Sequence, residues 1–246
     1  MLEVAAGTGN LTEALVRAGC RVAAVELDER LAALLRARLA SRDVAVIEGD
    51  LLERPPAAWL RAAGMEPPFV LAGNLPYRIT SPALRWSLSG EPAALAAVFL
   101  VQREVAESCA AAPPRATHLG SWLQALAEVR LLFRVPAGAF TPPPKVESAA
   151  LLLRPRRLTP ERERLRPRLE AAVHAAFRQP RKRLRNSLAD ALGVVPEAAA
   201  ALLVRAGIDP AARPGTLDSE ALWRLAVVLA TPAVEGDDVP GGPTGG

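Results

Sequence analysis

Four consecutive residues, Asn74-Leu75-Pro76-Tyr77, bring an amide, a fixed carbonyl and an aromatic ring to one place. The Asn74 side-chain oxygen and the Leu75 carbonyl can each accept a hydrogen from an amine. Pro76 fixes its own φ and restricts Leu75, so that carbonyl is held in position. Tyr77, the only tyrosine in the chain, offers a face for stacking. The set suits one task, gripping a planar base that carries an exocyclic amine. Taken alone, the tetrapeptide reads equally well as a polar strand-to-helix turn, with Thr80 and Ser81 as caps.

The residues before it separate the two readings. Gly7-Thr8-Gly9 follow a short apolar start, Glu26 lies 17 residues past Gly9, and Asp50 follows Glu48-Gly49. Each acid alone is an ordinary helix cap or solvated turn. The joint order of glycine loop, Glu, Asp and Asn-x-Pro-aromatic is much harder to meet by accident. The loop lacks Gly-Lys-Ser/Thr, so it is no phosphate-cradling P-loop. One carboxylate for ribose hydroxyls and a second for an adenine amine describe an adenosyl ligand without a pyrophosphate. That chemistry points to S-adenosylmethionine rather than a dinucleotide.

The elements that must position these residues read as an α/β unit. Strands are expected over residues 1–4, 21–26, 44–47, 69–73 and 97–101. Helices are expected over 11–18, with Asn10 as its cap, and over 28–40. Strand, glycine loop and helix open a nucleotide-binding βαβ unit, and all four polar strand ends fall on the edge where open α/β sheets bind ligands. A helix over 119–127 and strands over 129–135 and 147–153 follow, the last closing the sheet. Between those strands Phe140-Thr141-Pro142-Pro143-Pro144-Lys145-Val146 forms a loop stiffened by three prolines. Phe140 is either a core plug under that loop or a second aromatic surface near Tyr77.

Beyond Arg154-Pro155-Arg156 only helices are expected, over 160–178, 181–192, 196–206 and 217–230. The division is thus a Rossmann-like sheet domain over 1–154, a small all-helical domain over 155–232 and a disordered tail over 233–246. Lys plus Arg is 30 against 26 Asp plus Glu, but residues 151–185 hold 12 of the former and three of the latter. Five of these cations, Arg178, Arg181, Lys182, Arg183 and Arg185, fall between Phe177 and Leu188. They form either a solvated helix face or a row of phosphate contacts, and their clustering favours phosphate. Cys20 and Cys109 make neither a metal spacing nor a disulfide framework, which suits a reducing cytoplasm. No apolar run reaches membrane-spanning length, and the start has no signal-peptide pattern. There is no Ser-His-Asp set and no Pro-Cys loop. His118 and His174 lie away from the motifs and read as structural or surface residues.

With these residues laid out, the chain resembles the KsgA-type ribosomal RNA adenine dimethyltransferases. The carriers are Leu2-Glu3-Val4 with Gly7-Thr8-Gly9, then Glu26, Asp50, Asn74-Leu75-Pro76-Tyr77, the loop from Phe140 to Val146, and the stretch from Phe177 to Leu188 with Ala206-Gly207-Ile208-Asp209-Pro210 after it. The resemblance implies that Glu3, Ala5, Gly7, Gly9, Glu26, Asp50, Leu51 and Asn74 hold S-adenosylmethionine. It implies catalysis by the Asn74–Tyr77 loop with Phe140, and RNA contacts from Lys145 and the five cations. The implied substrate is two adjacent adenines near the 3′ end of 16S ribosomal RNA, each dimethylated at N6 by a cytoplasmic monomer in small-subunit biogenesis, with no metal and no membrane. The resistance methyltransferases of the large subunit share the first domain but look less similar. Three departures stand out. Ala5 and Ala6 replace a usual glycine and a frequent proline, Pro180 replaces a usual basic residue, and the family carries a further segment ahead of the position of Met1, including a Gln-Asn-Phe-Leu stretch. An RNA-binding assembly factor that no longer methylates is the competing expectation. A DNA adenine methyltransferase is disfavoured for want of a target-recognition domain.

Overall fold

The computed structural model describes residues 1–40 and 43–231. The expected tail over 233–246 lies outside the described residues. Seven strands form one sheet in the order β3-β2-β1-β4-β5-β7-β6. They are β1 (Leu2–Val4), β2 (Val22–Glu26), β3 (Val44–Glu48), β4 (Val70–Asn74), β5 (Ala96–Gln102), β6 (Ala127–Val135) and β7 (Ser148–Pro155). The first five pair in parallel, and β7 runs antiparallel to both β5 and β6. The chain therefore does not close its sheet with the last strand. β7 inserts between β5 and β6 and leaves β6 at the edge. Its run Ser148-Ala149-Ala150-Leu151-Leu152-Leu153 is wholly buried, as an interior strand covered on both faces must be. Strand order reverses at β1, which lies between β2 and β4. That switch point is where a crevice opens at the carboxyl edge.

Helices α1 (Asn10–Arg17), α2 (Glu29–Arg38), α3 (Pro56–Ala62), α4 (Thr80–Trp86), α5 (Arg103–Ala110) and α6 (His118–Leu126) accompany the sheet. Asn10 does not cap α1. Gly9 takes that position at φ 88°, with no side-chain hydrogen bond. A Cβ there would stand 2.3 Å from Cδ1 of Leu35, so the loop turns where only glycine fits. Asp28 sits outside α2 as its cap, accepting from the Arg30 and Leu31 amides at 2.9 and 3.1 Å.

The carboxyl-terminal part is helical, as expected: α7 (Pro160–Ala176), α8 (Leu184–Leu192), α9 (Pro196–Arg205) and α10 (Ser219–Ala230). One apolar cluster joins it to the sheet, from Leu2 and Phe99 through Leu123 of α6 to Leu169 of α7 and Leu222 of α10. Polar ties cross the same junction. Trp223 Nε1 donates to the Ala125 carbonyl at 3.3 Å, and Arg85 holds both oxygens of Glu170 at 2.7 and 2.8 Å. Helix α8 begins three residues later than expected. Residues 177–183 are instead a turn, fixed by buried Ser187, which accepts from the Gln179 amide at 2.9 Å and donates to the Ala175 and Ala176 carbonyls. Pro180 therefore sits in a turn, where its missing N–H costs nothing. No single helix among the described residues is long and apolar enough to cross a membrane.

Candidate active site

Two cavities open at the carboxyl edge and share a wall. The larger, about 570 Å³, is lined by Ala5 and Gly7 after β1, Glu26 after β2, Asp50 and Leu51 after β3, and Pro76 after β4. The second, about 360 Å³, is lined by Asn74, Leu75, Pro76, Tyr77, Phe140, Pro142, Pro144 and Ser148. Pro76 belongs to both.

Each acid is anchored and keeps acceptor capacity. Glu26 Oε2 accepts from the Gly7 amide at 2.7 Å, and Oε1 accepts from the Asp28 amide at 3.0 Å. The glycine loop and the acid thus fix one another. Asp50 Oδ1 accepts from the Leu52 amide at 2.9 Å, leaving Oδ2 free of partners among the described residues. Beneath it, Trp59 Nε1 donates to the Leu51 carbonyl at 2.9 Å. A Cβ on Gly49 would fall 2.5 Å from that indole, which explains the glycine just before Asp50. Sequence reasoning missed Leu27, Leu31, Arg78 and Ile79, which also line the larger cavity. Leu27 is an apolar residue set between Glu26 and Asp28 just past the strand, and that placement is the signal that could have found it.

Ala5 is the only non-glycine residue at positive φ among those described, at 53°. A Cβ in that region costs about 1–2 kcal/mol. Ala5→Gly is therefore expected to raise stability by up to about 1 kcal/mol, the entropy of glycine in the unfolded chain offsetting part of the relief. Denaturant unfolding of the two proteins measures it.

Of the residues expected to hold the cofactor, Glu3, Gly9 and Asn74 stand apart from the larger cavity, and Asn74 lines only the second. Glu3 is 1% exposed, and its Oε2 has no hydrogen-bond partner among the described residues. Burial pushes its carboxyl up to about 7, with Thr12 opposing and the Glu26 carboxylate reinforcing the shift. A folded-state value above the unfolded one means the native chain binds the extra proton. Stability is thus fully present below the unfolded value near 4.5 and is lost as pH rises through about 7. The loss approaches about 3 kcal/mol, at 1.36 kcal/mol per unit. Glu3→Gln is expected to flatten this slope, read as urea midpoints at pH 5 and pH 8.

The catalytic loop is held by its backbone. The Leu75 amide donates to the Leu100 carbonyl at 3.0 Å, and the Pro76 carbonyl accepts from the Ile79 amide at 3.0 Å and the Thr80 hydroxyl at 3.3 Å. A Cβ on Gly73 would meet the Val4 carbonyl at 2.6 Å, so β4 approaches β1 closely just before Asn74. The Asn74 side chain and the Leu75 carbonyl accept no hydrogen bond among the described residues. Tyr77 is 46% exposed, and half-buried Phe140 lines the same cavity. Phe140 is therefore an aromatic wall beside Tyr77 as well as a partial plug. The Cys109 thiol, buried in α5, is pushed up to about 12 by burial and is no nucleophile at neutral pH.

Arg178, Arg181, Lys182, Arg183 and Arg185 are all exposed on the turn before α8 and on its first turn. Arg178 pairs with Asp190 at 3.2 Å; the other four have no ion pair among the described residues. Lys145, on the proline loop, is likewise exposed. His118 is not remote from this segment, contrary to expectation. Its ring centroid lies 6.0 Å from that of Phe177 and 6.3 Å from that of His174, edge to face with both. The fold returns α7 onto α6, which no local pattern announces.

A family model for ribosomal RNA adenine dimethylase matches residues 1–230. Ribosomal RNA small subunit methyltransferase A of Phenylobacterium zucineum is 44% identical over 218 residues, 87% of this chain and 72% of that protein. The protein of the same name from Pseudomonas aeruginosa is 38% identical over 234 residues, 94% of this chain and 84% of that one. Among solved structures, the 23S rRNA methyltransferase ErmE superposes with a TM-score of 0.67 at 28% identity, covering 94% of this chain and 90% of ErmE. A dimethyladenosine transferase from Plasmodium falciparum superposes at 0.70 over 91% of this chain and 87% of its own, and at 23% identity it speaks for the fold alone.

Proposed function

The chain belongs to the ribosomal RNA adenine dimethylase family, and on that footing we propose that it dimethylates N6 of two adjacent adenines near the 3′ end of 16S ribosomal RNA. The activity is that of an S-adenosylmethionine-dependent rRNA adenine dimethyltransferase. The observation that carries the site assignment is the shared wall: Pro76 separates a cavity edged by two carboxylates from one edged by an amide, a free carbonyl and two aromatic rings.

The larger cavity fits the cofactor. Its volume lies in the range of small-molecule sites, and Glu26 and Asp50 keep lone pairs for ribose hydroxyls and an adenine amine. Ala5, Gly7 and Leu51 complete its walls, while Glu3 and Gly9 support the loop from behind. When bound, S-adenosylmethionine supplies a methyl already activated by a sulfonium. The protein's part is alignment and exclusion of water. Asn74 Oδ1 and the Leu75 carbonyl draw the two hydrogens of the target amine, favouring a pyramidal nitrogen whose lone pair is no longer delocalised into the ring. Tyr77 and Phe140 sandwich the base once it has left its stack. No strong base is required, because the methylated amine sheds its proton readily to solvent. Since the first product is the next substrate, the pocket must also admit a methylated amine.

Residues 155–232 act as the RNA-holding domain, with Lys145, Arg181, Lys182, Arg183 and Arg185 on phosphates and Arg178 contributing less because Asp190 already pairs with it. A monomer working in the cytoplasm on small-subunit rRNA accords with this assignment. Calorimetry with S-adenosylmethionine, followed by methyl transfer to unmodified 16S rRNA, tests the whole. Stoichiometric binding and N6,N6-dimethyladenosine at neighbouring positions are expected. The strain at Ala5 favours one competing outcome, RNA binding without cofactor binding, which would make the protein an assembly factor.

A further inference from the structure

Two further hollows extend the catalytic cavity along the same edge. The first, about 250 Å³, lies between Gln102-Arg103-Glu104 and Lys145-Val146-Glu147. Pro144 and Ser148, on either side of that second segment, already wall the catalytic cavity. The next, about 430 Å³, is lined by Ser81, Glu104, Ser108, Thr117 and His118 among others. Glu104 walls both. The path then reaches Phe177, which touches His118 and opens the cationic turn. Neighbouring walls thus lead from the base cavity to His118, and His118 packs on buried Phe177, the residue from which the cationic turn starts.

The chemistry of the last hollow is not that of a phosphate site. Its hydroxyls are mostly spent: Ser108 donates to Thr117 Oγ1 at 3.1 Å, and Thr117 accepts from the Gly120 amide at 3.2 Å and donates to the Ser108 carbonyl at 3.1 Å. What remains is the Ser81 hydroxyl, the Glu104 carboxylate, without an ion pair among the described residues, and the His118 ring. Arg103, beside Glu104, is engaged by Glu147 at 2.8 Å, so its charge does not neutralise Glu104. An unpaired carboxylate on the track of a polyanion is unfavourable unless it meets a hydrogen donor. RNA offers ribose 2′-hydroxyls and base amines as donors, and a stacking ring beside the carboxylate favours the amine of a base. A ring wedged edge-on by Phe177 and His174 supplies the stacking surface that unpaired bases use. Burial lowers the His118 imidazole's affinity for a proton, Arg85 and His174 add to this, and Glu170 opposes it, which favours the neutral ring at pH 7.

We propose that this hollow is a second base subsite, which holds the adenine next to the target with its N6 amine on Glu104 and its ring against His118. The proposal rests on the adenine-pair reading above. It would let one protein read that two adenines are adjacent before either is modified. The test uses two short RNAs that differ only at the neighbouring position, adenine in one and purine, which lacks the amine, in the other. Affinity is followed by fluorescence anisotropy and methyl transfer is measured in parallel. The wild type is expected to bind the adenine RNA about tenfold more tightly, the scale of one charge-assisted hydrogen bond. Glu104→Ala should abolish that preference while leaving the purine RNA unchanged. His118→Ala should weaken both RNAs, and His118→Phe should restore them. Equal wild-type affinities, or an equal loss on both RNAs in Glu104→Ala, overturn the subsite. Preserved discrimination without any methyl transfer leaves the subsite standing and overturns the enzyme assignment instead.

Discussion

Asn74→Ala is expected to lower kcat about 10²- to 10³-fold, the scale found when one preorganised polar group is removed from a reacting centre. RNA affinity and S-adenosylmethionine affinity should stay within about twofold, because the lost hydrogen bond strengthens only as the amine nitrogen pyramidalises. The structure supports a clean outcome. Asn74 is exposed at the end of β4, and its side chain makes no hydrogen bond among the described residues, so truncation orphans no partner. The fold should hold too, since surface truncations of this kind usually fall within about 0.5 kcal/mol. Single-turnover methylation with RNA anisotropy separates the two effects. A parallel fall in binding and in kcat would show that Asn74 serves as an RNA contact and leave the amine to Leu75 alone.

The same residue shows how far the chain can be read without coordinates. The strand ends are legible because each chemistry-bearing residue closes an apolar run: Glu26 after Val22–Val25, Asp50 after Val44–Ile47, Asn74 after Phe69–Ala72. The sheet's parallel half follows from that alternation of runs and helices. The antiparallel half does not, because the Ala-Leu run of β7 carries no mark of which strands flank it. A buried interior strand and a buried closing strand look alike in one dimension. The cap of α1 was misplaced for a related reason. Asn10 is chemically a better cap than Gly9, but the turn demands φ 88° and closeness to Leu35, which only the fold imposes. The junction of His118 with Phe177 depends on α7 packing back over α6, a contact between residues 59 positions apart. Spacing along the chain cannot reveal it.

Neutralising Arg181, Lys182 and Arg185 together is expected to weaken rRNA binding about 10²-fold at 0.1 M salt and to make the slope of log affinity against log salt shallower by about 2–3. Each of these side chains is exposed and has no carboxylate partner among the described residues, so each retains a full charge to exchange for released counterions. Arg178 is the internal control. Its guanidinium is already matched to Asp190 at 3.2 Å, and Arg178→Gln should move the slope far less than any of the three. The buried Ser187 that fixes the turn lies beneath these positions and is untouched by the substitutions, so the cations are removed without dismantling their support. Catalysis on saturating RNA should be nearly unchanged, since none of the three lines either cavity. A salt slope equal to that of the wild type would place the polyanion on another face of the protein. It would also break the link between the hollow beside His118 and those cations, which runs through Phe177, and leave Lys145 as the exposed cation on that path.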